Sequence, residues 1–182
     1  NGNDSGHTRL YAWDGSAWVQ RGGDIDGEAA GDSSGHSVSL SSDGSVVAIG
    51  AYGNDRNGSN SGHVRIFDVS IPTIAISSDV SSLKAGETAA LTFTLSEAST
   101  DFVQSDVVVS GGSLSNWTAV SSTVYTATFT PTADSSTNGV ISVASNQFSD
   151  AAGNTNNDGS DSNNTVTSLL YTSDAADERL GV

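Results

Sequence analysis

The sequence predicts an all-β chain built of two successive units, and three observations carry that prediction. A seven-residue segment near the start, Ser5-Gly6-His7-Thr8-Arg9-Leu10-Tyr11, returns as Ser61-Gly62-His63-Val64-Arg65-Ile66-Phe67. Between and beyond the copies, short apolar runs are separated by Gly, Asn and Asp, with 20 Gly but only 2 Pro in 182 residues, which is the spacing of short strands joined by turns. From Ile71 and Pro72 onward the texture changes to Thr- and Ser-rich alternation with few basic residues, which marks a second unit starting at residue 71.

In the first unit, residues 1–70, the two copies of the repeated segment imply one structural unit per copy. Three further strands lie between them. Trp18 to Ile25 carries Trp18, Val19 and Ile25; Ser37 to Leu40 alternates Val38 and Leu40 with Ser; and Val46 to Ala51 is an apolar run of the buried-strand kind. Four short strands per repeat is the pattern of a propeller blade, a small antiparallel sheet that needs neighbours to cover its faces. The segments Gly35-His36-Ser37-Val38-Ser39-Leu40, Asp43-Gly44, Val47-Ala48-Ile49-Gly50-Ala51 and Gly62-His63-Val64-Arg65-Ile66-Phe67 are similar to the FG-GAP repeats of integrin-like bacterial propellers. The resemblance implies partial β-propeller blades. Where that family binds calcium its loop holds several acidic residues before the Gly, whereas Ser41-Ser42-Asp43-Gly44 offers a single carboxylate.

In the second unit, residues 71–168, strands are expected at Thr73 to Ser77, Thr88 to Ser96, Phe102 to Ser110, Leu114 to Val120, Val124 to Thr130, Gly139 to Phe148 and Asn164 to Ser168. Seven short strands at this spacing predict an Ig-like β-sandwich, with Leu91, Phe93 and Leu95 facing the core and Trp117, Tyr125 and Phe129 adding bulk. The stretches Ser81-Ser82-Leu83-Lys84-Ala85-Gly86-Glu87-Thr88, Tyr125-Thr126-Ala127-Thr128-Phe129-Thr130-Pro131 and Phe148-Ser149-Asp150-Ala151-Ala152-Gly153-Asn154 resemble the bacterial Ig-like domains strung in tandem through large surface adhesins. Residues 169–182 stand apart. Leu169-Leu170-Tyr171-Thr172-Ser173-Asp174-Ala175-Ala176-Asp177-Glu178 resembles a translated sequencing-library adapter, so this end is read as a non-native tail and left out of the functional reading.

Composition narrows the function further. Asp and Glu number 21 against 6 Lys and Arg, a net charge of −15 that repels nucleic acid and anionic lipid and attracts cations. There is no Cys, hence no disulfide or thiolate metal site. No apolar run is long enough to span a bilayer. The chain opens on Asn1 rather than Met and is expected to be a piece of a longer secreted protein.

Motifs that suggest catalysis do not hold together. Gly31-Asp32-Ser33-Ser34-Gly35 fits G-x-S-x-G, but a nucleophile elbow needs a strand before it and a helix after it, and a Ser-Val-Ser-Leu strand follows here. His7, His36 and His63 each sit in Ser-Gly-His, so a repeated structural position explains them better than a catalytic base or metal ligands do. No enzyme is expected. Calcium is the one chemistry that the residues support. Asn154-Thr155-Asn156-Asn157-Asp158-Gly159 has the opening pattern of an EF-hand loop, yet Thr165 stands where the bidentate Glu belongs. A sandwich offers better geometry, because its alternating strands bring the loop after the second strand and the loop before the last to the end where the chain enters. Asp68, Glu97, Asp101 and Asp150 are therefore the expected calcium ligands. The expected role is an extracellular binding or spacer module of an adhesin-type repeat protein, partnered by neighbouring repeats and by a surface glycan or protein. Two other roles stay open: accessory modules of a secreted enzyme, and a carbohydrate-binding propeller with an Ig-like appendage.

Overall fold

Strands form where β-branched and aromatic residues alternate with Ser, Thr and Gly, because that pattern gives a pleated ribbon one apolar face. The computed structural model describes residues 2–13, 15–84, 86–133 and 137–171, and the chain divides into two units, one of Asn1–Ile71 with Ala152–Asn154 and one of Pro72–Ala151 with Thr155–Val182.

The first unit holds β1 (His7–Trp13), β2 (Trp18–Asp26), β3 (Ser37–Leu40), β4 (Val46–Ala51) and β5 (His63–Asp68). β1 and β2 form a two-stranded antiparallel sheet, and β3, β4 and β5 a three-stranded one with β4 at its centre. Alternate residues of β4, namely Val47, Ile49 and Ala51, are buried. Val47 and Ile49 with Val69 form a small core, covered by Leu10 of β1, Ile25 of β2 and Phe67 of β5. The four strands expected within one repeat all form as β1 to β4, with β5 opening the second copy, but they are divided between two sheets, so the described residues hold partial blades rather than one four-stranded sheet. The repeated Ser-Gly-His has a backbone cause. Gly6, Gly35 and Gly62 have φ of +73°, +88° and +66°, a region that side-chain-bearing residues enter only with strain, and each turn leads into or just precedes a strand.

Among its described residues the second unit has eight strands: β6 (Ile74–Ser78), β7 (Ser82–Lys84), β8 (Ala89–Leu95), β9 (Val107–Ser110), β10 (Gly112–Ala119), β11 (Val124–Pro131), β12 (Gly139–Val143) and β13 (Thr165–Tyr171). They pair as β10-β11-β8-β6 and β7-β13-β12-β9, the division between two sheets that defines an Ig-type sandwich. Ala89, Leu91, Phe93 and Leu95 of β8 point inward and join Tyr125, Ala127 and Phe129 of β11 with Ile141 and Val143 of β12 in one core. Full burial of a side chain such as Phe93, which is 0% exposed, contributes about 1.5–3 kcal/mol.

Two strand expectations are corrected, and one further strand is found. Residues 102–106 are not strand: Phe102 is buried in a loop and a 3-10 turn spans Gln104–Asp106, so β9 begins only at Val107. β12 ends at Val143, and Phe148, 1% exposed, reaches the core from the loop that follows. Both aromatics fill the core through side chains on irregular backbone, which an apolar pattern does not separate from strand. β7 was unforeseen, since it has only three residues. It pairs in parallel with Leu169–Tyr171, so the last strand runs into the adapter-like segment; the rest of that tail, 172–182, lies outside the described residues.

Candidate functional site

The two loops expected to meet at one end of the sandwich do meet. β8 ends at Leu95 and its following loop carries Glu97, Ser99 and Asp101; the loop between β12 and β13 carries Ser149 and Asp150. Ser99 and Asp150 form an antiparallel bridge, and both residues are buried. Asp101 ties the loops more firmly. Its Oδ1 accepts from the Ser149 amide at 2.9 Å and the Ser99 hydroxyl at 2.7 Å, and its Oδ2 accepts from the Ser149 hydroxyl at 2.5 Å. Below it, the Tyr125 hydroxyl donates to the Ser99 carbonyl at 3.3 Å.

These contacts set the electrostatics. Desolvation pushes the Asp101 carboxyl up, and the Ser149 hydroxyl and amide with the Ser99 hydroxyl outweigh it, leaving the group below its ordinary 3.8. Burial raises the Tyr125 phenol, and the Asp101 charge adds to the rise. A carboxylate held below its unfolded value stabilises the fold above that value and loses the contribution as pH falls through the lower native one. Asp101→Asn is thus expected to melt below the parent at about pH 6, with the gap closing as pH drops below about 4. Calorimetry of both chains across that range checks the sign.

Of the four expected calcium ligands, the structure brings Asp101 and Asp150 to the same bridge, with Glu97 half-buried just after β8. Asp68 ends β5 in the first unit, where its Oδ1 accepts from the amide and hydroxyl of Ser70 at 2.9 and 2.7 Å. Among the described residues no three His, Asp or Glu side chains gather into a metal-holding group.

The EF-hand-like loop is a structural lock instead. Asn156 and Asp158 point inward while Thr155 and Asn157 are exposed. Asn156, 0% exposed, accepts from the amides of Gln147 and Phe148 at 2.8 and 3.2 Å and donates to the Ala144 carbonyl at 2.9 Å and to Asp158 Oδ1 at 3.2 Å. Asp158 Oδ2 accepts from the Ile74 amide at 2.7 Å, pinning the start of β6, and its carbonyl accepts from Asn164 at 2.7 Å. Alternating oxygen-bearing side chains, the very signal of an ion loop, here satisfy buried backbone groups of a long connection.

Elsewhere the sequence motifs resolve into turns. Asp43 Oδ1 accepts from the Ser41 hydroxyl, the Ser45 amide and the Ser45 hydroxyl at 2.6, 3.1 and 2.9 Å. The Ser41 bond is the main reason its carboxyl is lowered to about 2, and the hairpin between β3 and β4 is closed by this bonding. No helix follows Ser33, whose φ is +52°. Asp32 is spent on the Ala29 amide and Asn54, both at 3.0 Å, and His36 packs edge-on against Tyr52. His63 lies 3.8 Å from Glu28. None of this forms a triad.

Two family models match the chain: one described as a bacterial Ig-like domain over residues 68–167, and one described as an FG-GAP repeat over residues 25–67. No curated protein and no solved structure matches it. Among the described residues no helix is long and apolar enough to cross a membrane. With more than half its length covered by the first model, and with the sandwich topology to match, the chain belongs to the bacterial Ig-like domain family and carries an FG-GAP repeat directly ahead of that domain.

Proposed function

We propose that the chain is an extracellular, non-catalytic module pair of a secreted bacterial surface protein of adhesin type, in which the Ig-like unit serves as a spacer and calcium stiffens the joint through Asp68, Glu97, Asp101 and Asp150. The observation that carries the reading is the order of modules, an FG-GAP repeat followed at once by a bacterial Ig-like domain, kinds typical of extracellular proteins. The net charge of −15 favours cations and disfavours nucleic acid as partners. Neighbouring repeats and a surface glycan or protein remain the fitting partners for such modules. Antibodies against the Ig-like unit are expected to label intact producing cells or their medium. Labelling that required permeabilised cells would overturn the surface reading.

Support for the calcium joint comes from the meeting of the loop after β8 with the loop before β13, where Asp101 and Asp150 flank the Ser99 bridge. Calcium takes six to eight oxygens with tolerant geometry, so an ion there draws Asp101 away from the Ser99 and Ser149 donors. Binding to the folded form alone stabilises by mass action, by about 2.7 kcal/mol at a hundredfold excess over the dissociation constant. The melting point of the full chain is expected to rise in calcium relative to chelator and less in magnesium. Glu97→Gln and Asp150→Asn are each expected to shrink the rise. Equal melting points in calcium and chelator, or a rise that survives both substitutions, would remove the ion from this joint.

A further inference from the structure

An amide side chain placed two residues ahead of a hydroxyl recurs along this chain. Asn3, Asn57, Asn116 and Asn163 each precede a Ser or Thr at that spacing, with no Pro between, and this is the spacing at which an Asn amide takes an N-linked sugar. Spacing alone is not enough. The amide nitrogen has to be reachable, and the hydroxyl residue has to be free to turn toward it while a transferase closes around the backbone of all three residues.

The fold withholds three of these positions. Residues 3–5 are paired along their backbone, the carbonyls of Asn3, Asp4 and Ser5 accepting from the amides of Gly31, Ser33 and Ser34, each at 2.9 Å. Asn116 donates through Nδ2 to the Thr128 hydroxyl at 3.2 Å, and Trp117 after it packs against Phe93. Asn163 sits in the 3-10 turn Ser162–Asn164, where Asn164 is 0% exposed and Thr165 already pairs with Ser142 as the start of β13.

Asn57 lies in the loop between β4 and β5, whose base is pinned and whose tip stands clear. Asn54, 4% exposed, anchors the base. Its Nδ2 donates to Asp32 at 3.0 Å, its Oδ1 accepts from the Arg56 amide at 3.1 Å, and its carbonyl accepts from the Gly62 amide at 3.0 Å and the Ser61 hydroxyl at 3.2 Å. Asp55 then closes the turn, its carbonyl accepting from the Gly58 amide at 3.0 Å and its Oδ1 from the Asn60 amide at 2.6 Å. Beyond these bonds Asn57, Gly58 and Ser59 are all exposed, and the Asn57 side chain meets no hydrogen-bond partner among the described residues. Gly58 has a φ of +129° and open space where a Cβ would stand, so the middle residue can swing the Ser59 hydroxyl toward the acceptor amide at little steric cost.

We propose that Asn57 is an N-glycosylation site, an inference that rests on the extracellular reading above because such acceptors serve in secreted proteins. In the transfer, Asn57 Nδ2 attacks the anomeric carbon of a sugar carried on a lipid diphosphate. The Nδ2–C1 bond forms, the bond from C1 to the phosphate oxygen breaks, the diphosphate leaves with the electron pair, and one amide proton passes to a base of the transferase. The anchored base of the loop is untouched. The glycan covers the neighbouring Arg56, whose side chain is 77% exposed, at a loop tip of the kind that proteases nick.

Mass spectrometry of the purified full chain, after incubation with an oligosaccharyltransferase and its lipid diphosphate-linked oligosaccharide, tests this, with a short acceptor peptide showing that the enzyme is active. The folded chain is expected to gain one glycan, mapped to Asn57. Asn57→Gln and Ser59→Ala, both at the exposed tip, are expected to keep the parent circular dichroism and to abolish the addition. Ser59→Thr, which keeps the hydroxyl, is expected to retain it. An active enzyme that leaves Asn57 bare, an addition that survives Asn57→Gln, or a folded chain modified at Asn116 or Asn163 instead would each overturn the proposal. Because enzyme and donor are supplied to the purified chain, failure here counts against the acceptor alone, whereas failure of the surface labelling counts against the location.

Discussion

Asn156→Ala is expected to lower the stability of the Ig-like unit by about 3 kcal/mol or more, since it strips partners from several buried groups at a cost of ~1–3 kcal/mol each. The groups are the amides of Gln147 and Phe148, the Ala144 carbonyl and the Asp158 carboxylate. Water can reach some of them once the side chain is gone, which is why the expected loss is smaller than their sum. Asn157→Ala, one residue on and exposed, is expected to change stability by less than about 0.5 kcal/mol. Asn156→Asp keeps the acceptor but sets a second buried carboxylate beside Asp158 Oδ1, and is expected to cost at least as much as Asn156→Ala near neutral pH. Denaturant midpoints followed by circular dichroism decide it. Similar midpoints for Asn156→Ala and Asn157→Ala would show that the loop does not lock the fold.

Phe129→Ala is expected to cost about 3–5 kcal/mol, the usual range for emptying a buried aromatic site. The ring is 0% exposed and sits in a slot between two glycines. A Cβ on Gly112 of β10 would come within 2.4 Å of its Cε2, and one on Gly139 of β12 within 2.3 Å of its Cζ. These glycines are required by closeness rather than by backbone conformation, as neither has a positive φ. Gly139→Ala alone should cost ~1–3 kcal/mol through overpacking. Combined with Phe129→Leu, part of that cost should vanish, giving a non-additive cycle of the kind expected only for residues in contact. Additive losses would place the ring elsewhere.

The β-rich architecture and most strands were legible because alternation and turn residues report directly on which face is buried. Leu91, Phe93 and Leu95 alternate into the core as their spacing requires. What misled was apolar or polar content on irregular backbone. Phe102 and Phe148 belong to the core without belonging to strands, and a pattern of apolar residues says only that a side chain is buried. At the candidate site, the meeting of two loops followed from sandwich topology, but the partners within it did not. Ser99 and Ser149 are ordinary residues in a Ser-rich chain, and nothing local marks them as the donors that hold Asp101. Asn156 carried a visible signal, an alternating run of oxygen-bearing side chains, whose direction was ambiguous. Such a run can gather around an ion or turn inward to meet orphaned amides, and the choice depends on residues 144–148, distant in sequence until the loop closes.

Trp117 belongs to an aromatic cluster in the sandwich, with its ring centroid 5.2 Å from Phe93, 5.5 Å from Phe102 and 5.7 Å from Tyr125. The other two Trp of the chain, Trp13 and Trp18, are mostly in water already. Indole emission moves to longer wavelength when the ring leaves an apolar setting, so unfolding of the Ig-like unit shifts the spectrum while unfolding of the first unit barely alters it. Light emitted by this protein is in effect a selective report on one of its two halves, and a melt read that way stays silent about the other.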